Sequence, residues 1–365
     1  MKEFIDVDST AAMHEIVETV KPRTLLLFTG GRSYETLPLK QFFDQLADNN
    51  VAVTRYSTFQ NNPNLNDLVK AVQNLNSKKP DLIVAAGGGS VMDFAKLVNI
   101  YLENQEALKR YVPTAASLRP AAPMVMIPTT SGSGSEATNF MVLFKNGRKY
   151  SLVCPQLKVE YVILDPALTH SLTPRQTAVS GMDALCQGIE SLWARSGTKS
   201  SREFAREAIK LLYPNIRSAV WHPDANSRRA MALGAYYAGK AISISKTTGP
   251  HAFSYFLTER MDVPHGEAVA INMELFMEMN FPHISQQRQA EFFQLFKVGS
   301  VEELVRQFTN LKKELKLKVN LRDVGVDSED TLKEYLKYIN HERMMNNPKR
   351  LSDEIIYEEL KKCIK

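Results

Sequence analysis

Leu82-Ile-Val-Ala-Ala-Gly87-Gly88-Gly89-Ser90-Val-Met-Asp93-Phe-Ala-Lys96 is the stretch on which the reading of the fold turns. An apolar run of strand length passes through three glycines into a helical pattern, the order that a parallel α/β sheet repeats. Glycines let backbone N–H groups approach a phosphate closely, and the amides and dipole at the start of the following helix favour that charge. Gly87, Gly88, Gly89, Ser90 and Asp93 are therefore candidate pyrophosphate contacts. Ser90 also reads as an N-cap, with Asp93 completing a capping-box-like pair.

Working outward, strand-like runs recur at 24–29, 51–56, 81–86, 124–127 and 161–164, separated by helical stretches. Between 138 and 153 two β-rich runs flank Asn146-Gly147, a strong hairpin signal. Just before the hairpin, Ile127-Pro-Thr129-Thr130-Ser131-Gly132-Ser133-Gly134-Ser135-Glu136 leads from a strand into hydroxyl and glycine residues suited to lining a nucleotide. Thr129, Thr130 and Ser133 are its candidate contacts. Neither loop matches the G-x-G-x-x-G fingerprint. Past Asp165-Pro166 the pattern turns helical, so the division expected is an α/β domain over 1–167 and an all-helical domain over 168–365.

In the helical half, Asp183 and Gln187 stand four residues apart in Gly181-Met-Asp183-Ala-Leu-Cys-Gln187-Gly-Ile-Glu190, so they share one helix face. His251, after Thr247-Thr-Gly-Pro, and His265, after Asp262-Val-Pro, lie at bends that can aim both rings inward. A carboxylate, an amide oxygen and two imidazoles make a borderline set that suits Fe²⁺ or Zn²⁺, with Mn²⁺ and Ni²⁺ as further options.

The 365 residues suffice for two cores, and 45 Lys and Arg against 40 Asp and Glu leave +5, scattered rather than blocked. Nucleic-acid binding gains no support. The basic run 312–318 alternates with Leu and reads as the solvated face of a helix. No signal-peptide h-region or run of membrane-spanning length is present, so a cytoplasmic protein is expected. Cys154, Cys186 and Cys363 fit reduced thiols, with Cys186 a packing residue.

Taken together these motifs resemble the iron-containing, or group III, alcohol dehydrogenase family. The resemblance rests on Gly87-Gly-Gly-Ser90-x-x-Asp93-x-Ala-Lys96, Pro128-Thr-Thr-Ser-Gly-Ser-Gly-Ser-Glu136, Gly181-Met-Asp183-Ala-Leu and His251-x13-His265-Gly266, with Asn346-Asn347-Pro-Lys-Arg350 near the end. It implies a dehydroquinate synthase-like architecture: an α/β amino-terminal dinucleotide-binding domain and an all-α carboxy-terminal domain holding one divalent metal. It also implies NAD(P)-dependent interconversion of a small-molecule alcohol and carbonyl compound, with a homodimer as the candidate assembly.

The chain departs from that family at two positions. Gln187 stands where the family usually has a ligand His, and Tyr255 where many members carry a further His, so the Tyr255 hydroxyl becomes the candidate proton donor. After the first of these strands, Phe28-Thr-Gly30-Gly-Arg32-Ser33 lacks the Asp of many NAD-using members. Gly30, Arg32 and Ser33 thus favour NADPH, with NADH as the alternative. Within the family, the segments 183–193 and 241–255 are most similar to the phosphonoacetaldehyde reductase branch, and Lys246 with Thr247 and Thr248 offers a cation and hydroxyls to an anionic aldehyde. The alternatives are a general alcohol or lactaldehyde-type dehydrogenase, a dehydroquinate-synthase-like lyase, and a binding protein that has lost activity.

Overall fold

The computed structural model describes residues 1–60, 62–75, 78–110 and 118–364. The chain forms two compact units, one of residues 1–130 and 135–171, the other of residues 131–134 and 172–365.

The first unit is built on a six-stranded parallel sheet in the order β1-β8-β5-β4-β2-β3. Its strands are β1 (Lys2–Ile5), β2 (Thr24–Thr29), β3 (Ala52–Tyr56), β4 (Leu82–Gly87), β5 (Met124–Pro128) and β8 (Tyr161–Leu164). Every residue of β4 and β5 is buried, which is why both read as unbroken apolar runs: strands at the centre of a parallel sheet are covered on both faces. Helices α1 (Ser9–Val20), α2 (Pro38–Asp48), α3 (Leu65–Leu75) and α4 (Gly89–Glu103) accompany them, and α5 (Gln105–Arg110) follows. The hairpin stands apart as β6 (Phe140–Lys145) and β7 (Arg148–Val153), with left-handed φ at Asn146 (51°) and Gly147 (72°). Its turn is the one the Asn-Gly pair demands. Strand β1, parallel to β8, was not expected; Lys2 and Glu3 mask its apolar half.

The expected Ser90 cap is corrected. Helix α4 starts at Gly89 with Gly88 as its N-cap, and no side chain caps it. The physical reason is the close approach of strand to helix: a Cβ at Gly87 would lie 2.5 Å from Val91 Cγ2. Asp93 closes no capping box. Its Oδ1 accepts from Ser135 Oγ at 2.6 Å and its Oδ2 from Val142 N at 3.0 Å, while the buried Lys96 ammonium donates to the carbonyls of Ser135 (2.6 Å) and Phe140 (2.9 Å). The Asp93–Lys96 pair thus fastens the segment leading into β6.

The second unit is helical. Its core wraps α6 (Pro174–Trp193), α7 (Lys199–Trp221), α8 (Ala225–Ser245), α9 (Gly249–Arg260) and α10 (His265–Ile271), with further helices as far as Asp353–Ile364. Residues 131–134 are gripped between α6 and α8: a Cβ on Gly132 would meet Ser180 at 2.8 Å, and one on Gly134 (φ 61°) would meet Gly239 at 2.4 Å. The reading of 312–318 as a solvated face fails at Lys312, which is fully buried and bonded to Glu274 Oε2 at 2.7 Å and Val319 O at 2.6 Å. A buried lysine with a carboxylate and carbonyls to bind looks no different in sequence from an exposed one. Cys154, Cys186 and Cys363 are free thiols, and Cys186 packs in the helical core. Among the described residues, no helix is long and apolar enough to cross a membrane.

Candidate metal centre

Helix α6 begins with Thr173 and Gln176 in a capping box and runs with its second half entirely buried. Its i, i+4, i+7 positions put Asp183, Gln187 and Glu190 along one face. Facing them, α9 supplies His251 in its first turn and α10 supplies His265 as its first residue. Gly266 fixes that approach, since a Cβ there would lie 2.1 Å from Val179 O and 2.9 Å from Asp183 Cβ. One ligand atom from each of Asp183, His251 and His265 falls within 4.8 Å of the others, and the two imidazole centroids are 5.4 Å apart.

The donor set fits a cation. Asp183 Oδ1 and Gln187 Oε1 are both buried and accept no hydrogen bond, a costly state for polar oxygens unless an ion completes it. The Gln187 amide is turned with its Nε2 on the Ser133 carbonyl, 3.3 Å away, which commits its oxygen to the other side. His251 Nε2 lies 3.3 Å from Asp183 Oδ1, and its Nδ1 bonds Glu190 Oε2. Burial alone would lower the His251 pKa, but Glu190 and Asp183 outweigh it and push it up to about 9. Burial would raise Asp183, yet His251 and His265 hold it down to about 2.

Glu190 is a residue that sequence reasoning missed. Fully buried, it accepts from Thr248 N (2.8 Å) and Thr248 Oγ1 (2.9 Å) at Oε1 while Oε2 takes His251, and Trp193 Nε1 in turn bonds Thr248 Oγ1 at 2.9 Å. A carboxylate on the far nitrogen of a ligand histidine fixes its tautomer and raises its basicity. The signal was its place one helical turn beyond Gln187. The Asn346-Asn347 pair also gains a role: Asn346 Nδ2 bonds the carbonyls of Ser245 (2.7 Å) and Thr247 (3.0 Å), and Asn347 Oδ1 accepts from Gly249 N at 3.1 Å. Together they hold the turn that delivers His251.

Tyr255 is buried one turn beyond His251, where its hydroxyl accepts from Asn340 Nδ2 (3.2 Å) and Arg343 Nε (3.3 Å). Lys246 is not in that group. It ends α8 with its side chain half exposed and its Nζ 3.4 Å from Glu342 Oε1. Ser133, expected beside the cofactor, belongs to the second unit, as Gln187's partner.

In the first unit the remaining cofactor candidates gather at the carboxyl edge of the sheet, where nucleotides bind in open α/β folds. Thr29, Gly87 and Pro128 end adjacent strands: Thr29 pairs with Ala86 and Gly87 with Pro128. Thr129 N bonds Gly87 O at 3.0 Å, and a Cβ at Gly88 would lie 3.3 Å from Thr130 Oγ1. Ser33 Oγ fills the space beside Gly30, 2.8 Å from where a Cβ there would stand. The Arg32 side chain lies outside the described residues. Arg55, unnoticed in the sequence, holds this loop through Thr29 Oγ1 (2.9 Å) and Gly30 O (3.2 Å) and lies over the Tyr34 ring.

Two family profiles match the chain: iron-containing alcohol dehydrogenase over residues 3–166, and the carboxy-terminal Fe-containing alcohol dehydrogenase family over 177–364. Long-chain-alcohol dehydrogenase 1 of Geobacillus thermodenitrificans is 32% identical over 273 residues, 73% of this chain and 69% of that protein. Phosphonoacetaldehyde reductase of Streptomyces viridochromogenes is 33% identical over 229 residues, 60% of this chain and 58% of the relative. Against several curated relatives the chain spans about three fifths of their length. Among solved structures, sulfoacetaldehyde reductase from Bifidobacterium kashiwanohense in complex with NAD+ superposes with a TM-score of 0.92 at 25% identity, covering 100% of this chain and 97% of that one.

Proposed function

Because this chain belongs to the iron-containing alcohol dehydrogenase family, we propose that it reduces an aldehyde to a primary alcohol with NAD(P)H and one divalent metal, Fe²⁺ or Zn²⁺. The observation that carries the reading is the convergence of Asp183, His251 and His265 beside the unbonded oxygen of Gln187. These four residues would hold the metal. When bound, the metal supplies a Lewis acid for the carbonyl oxygen and the dihydronicotinamide supplies hydride.

The chain's own groups do the rest. Glu190 keeps the His251 Nε2 lone pair turned toward Asp183. The Tyr255 hydroxyl, which accepts hydrogen bonds from Asn340 and Arg343, is the group we assign to protonate the alkoxide oxygen. The uncapped first turn of α4, at Gly88, Gly89 and Ser90, offers its amides to the cofactor pyrophosphate, with Gly87, Thr129 and Thr130 shaping that turn, while Asp93 acts at one remove by fastening the segment that leads into β6. Gly30 places no carboxylate where a 2′-phosphate would sit, and Ser33 adds a hydroxyl there, which supports NADPH over NADH.

The substrate we favour is phosphonoacetaldehyde, reduced to 2-hydroxyethylphosphonate; two relatives and one solved neighbour are reductases of two-carbon aldehydes bearing an acid group, which supports this reading. A general alcohol dehydrogenase is the second reading, favoured by the long-chain relative. The test is the initial rate of NADPH loss with phosphonoacetaldehyde beside propanal, on protein loaded with Fe²⁺ or Zn²⁺. Preference for the phosphonate supports the first reading and equal turnover the second. No turnover of any aldehyde or alcohol overturns both.

A further inference from the structure

We propose that the strap Ser131–Gly134 positions Gln187 as a metal ligand, by holding its amide in the one orientation that turns the oxygen to the ion; this rests on the metal site of the reading above. A glutamine can offer either end of its amide, and only the oxygen has lone pairs for a cation. Gln187 Nε2 donates to the Ser133 carbonyl at 3.3 Å, while Oε1 is buried and accepts no hydrogen bond. The same nitrogen faces Asp183: burial works to raise that carboxyl, and the Gln187 amide is among the groups, after His251 and His265, that hold it down to about 2. Turning the amide over would set its oxygen against the Ser133 carbonyl, two acceptors with no hydrogen between them.

Glycines set where the strap lies. Gly134 rests its backbone on Gly239 of α8: a Cβ on Gly239 would lie 2.6 Å from Gly134 O and 2.7 Å from Gly134 Cα. Gly132 backs onto α6 in the same way, a Cβ there meeting Ser180 Cβ at 2.8 Å. Ser180 and Gln187 both belong to α6, so the helix that carries the ligand also carries one of the strap's two rests. Inside the 21-residue α8, glycine at 239 is a weaker helix former than alanine, and what it allows is backbone packed on backbone. An alanine there would drive Gly134 back by about 0.8 Å, to an ordinary carbon contact of about 3.5 Å. The Gln187–Ser133 bond, at 3.3 Å already past the usual range of about 2.7–3.2 Å, does not survive such a shift.

The experiment measures Zn²⁺ affinity, by competition against a calibrated chelator, in the full-length unaltered chain, Gly239→Ala and Gly132→Ala, each with and without Gln187→Glu. Circular dichroism and melting temperature establish that each protein is folded, and the two glycine changes unseat the strap from opposite sides. With glutamine at 187, each should weaken Zn²⁺ about 3- to 10-fold, the range for loss of one hydrogen bond. A carboxylate presents an oxygen whichever way it turns, so in combination with Gln187→Glu the same changes should weaken it by less than about twofold. A general loosening of the helices would instead weaken both series alike. Equal losses with and without Gln187→Glu, or no loss in folded Gly239→Ala and Gly132→Ala, would overturn the proposal. An unaltered chain that binds no Zn²⁺ would overturn it together with the metal-site reading. Zn²⁺ bound with the expected dependence on the strap, in a chain that reduces no aldehyde, would leave the strap standing and sink the reductase reading.

Discussion

Glu190→Gln changes one atom of a buried carboxylate and should cost the protein most of its hold on the metal. Glu190 Oε1 accepts from Thr248 N and Thr248 Oγ1 at 2.8 and 2.9 Å, and an amide oxygen can do the same with no change of volume. The substituted amide nitrogen then falls at Oε2, against His251 Nδ1. As a donor it makes Nδ1 an acceptor, which drives the ring proton onto Nε2, the atom facing Asp183 at 3.3 Å. To bind metal, His251 must move that proton back to Nδ1 and leave two buried donors opposed, at about 1–3 kcal/mol. That corresponds to roughly 10- to 100-fold in affinity, the range found for groups that orient metal-ligating histidines. The assay is competition against a calibrated chelator, with bound metal counted by elemental analysis and folding checked by circular dichroism. A dissociation constant within threefold of the unaltered protein, for a folded variant, would refute the argument that Glu190 sets the His251 tautomer.

Three further outcomes are expected. Gln187→His replaces an amide oxygen with a stronger donor and should tighten Zn²⁺ by about tenfold or more in the same competition assay. Gly266→Ala puts a Cβ 2.1 Å from Val179 O, so it should push the start of α10 off α6 and release metal even where the melting temperature falls only modestly; metal content against melting temperature separates the two effects. Glu136 is buried, and burial, opposed by Lys96, pushes its carboxyl up to about 7 from the ordinary 4.5. The folded chain therefore holds a proton that the unfolded chain has lost between those values, and this contribution to stability falls as pH rises through that window. Urea midpoints of the unaltered protein minus those of Glu136→Gln should decline from pH 5 to pH 7, and a flat or rising difference would contradict the burial argument.

What could be read from the sequence was what short-range pattern encodes. Strands β2, β4, β5 and β8 announced themselves because burial on both faces demands apolar runs, and Asn146-Gly147 named its own turn. The four proposed metal ligands stood out by residue type and spacing, and the structure brings Asp183, His251 and His265 together. What stayed hidden depended on long-range contact. Arg343 meets Thr247 across 96 residues, and Arg55 meets Thr29 across 26, so neither contact leaves a local trace. Ser90 was misread as a cap because the packing of Gly87 on Val91, not the hydroxyl, sets where α4 begins.

The most direct test of the account is to count metal and turnover together: elemental analysis of the purified chain, then NADPH oxidation with phosphonoacetaldehyde and propanal before chelation, after it, and after Fe²⁺ or Zn²⁺ is restored. The account predicts one divalent metal per chain, loss of aldehyde reduction with its removal, recovery on its return, and neither metal nor turnover in Asp183→Ala. A chain that reduces aldehydes equally well without metal, or binds none with Asp183 intact, would contradict it.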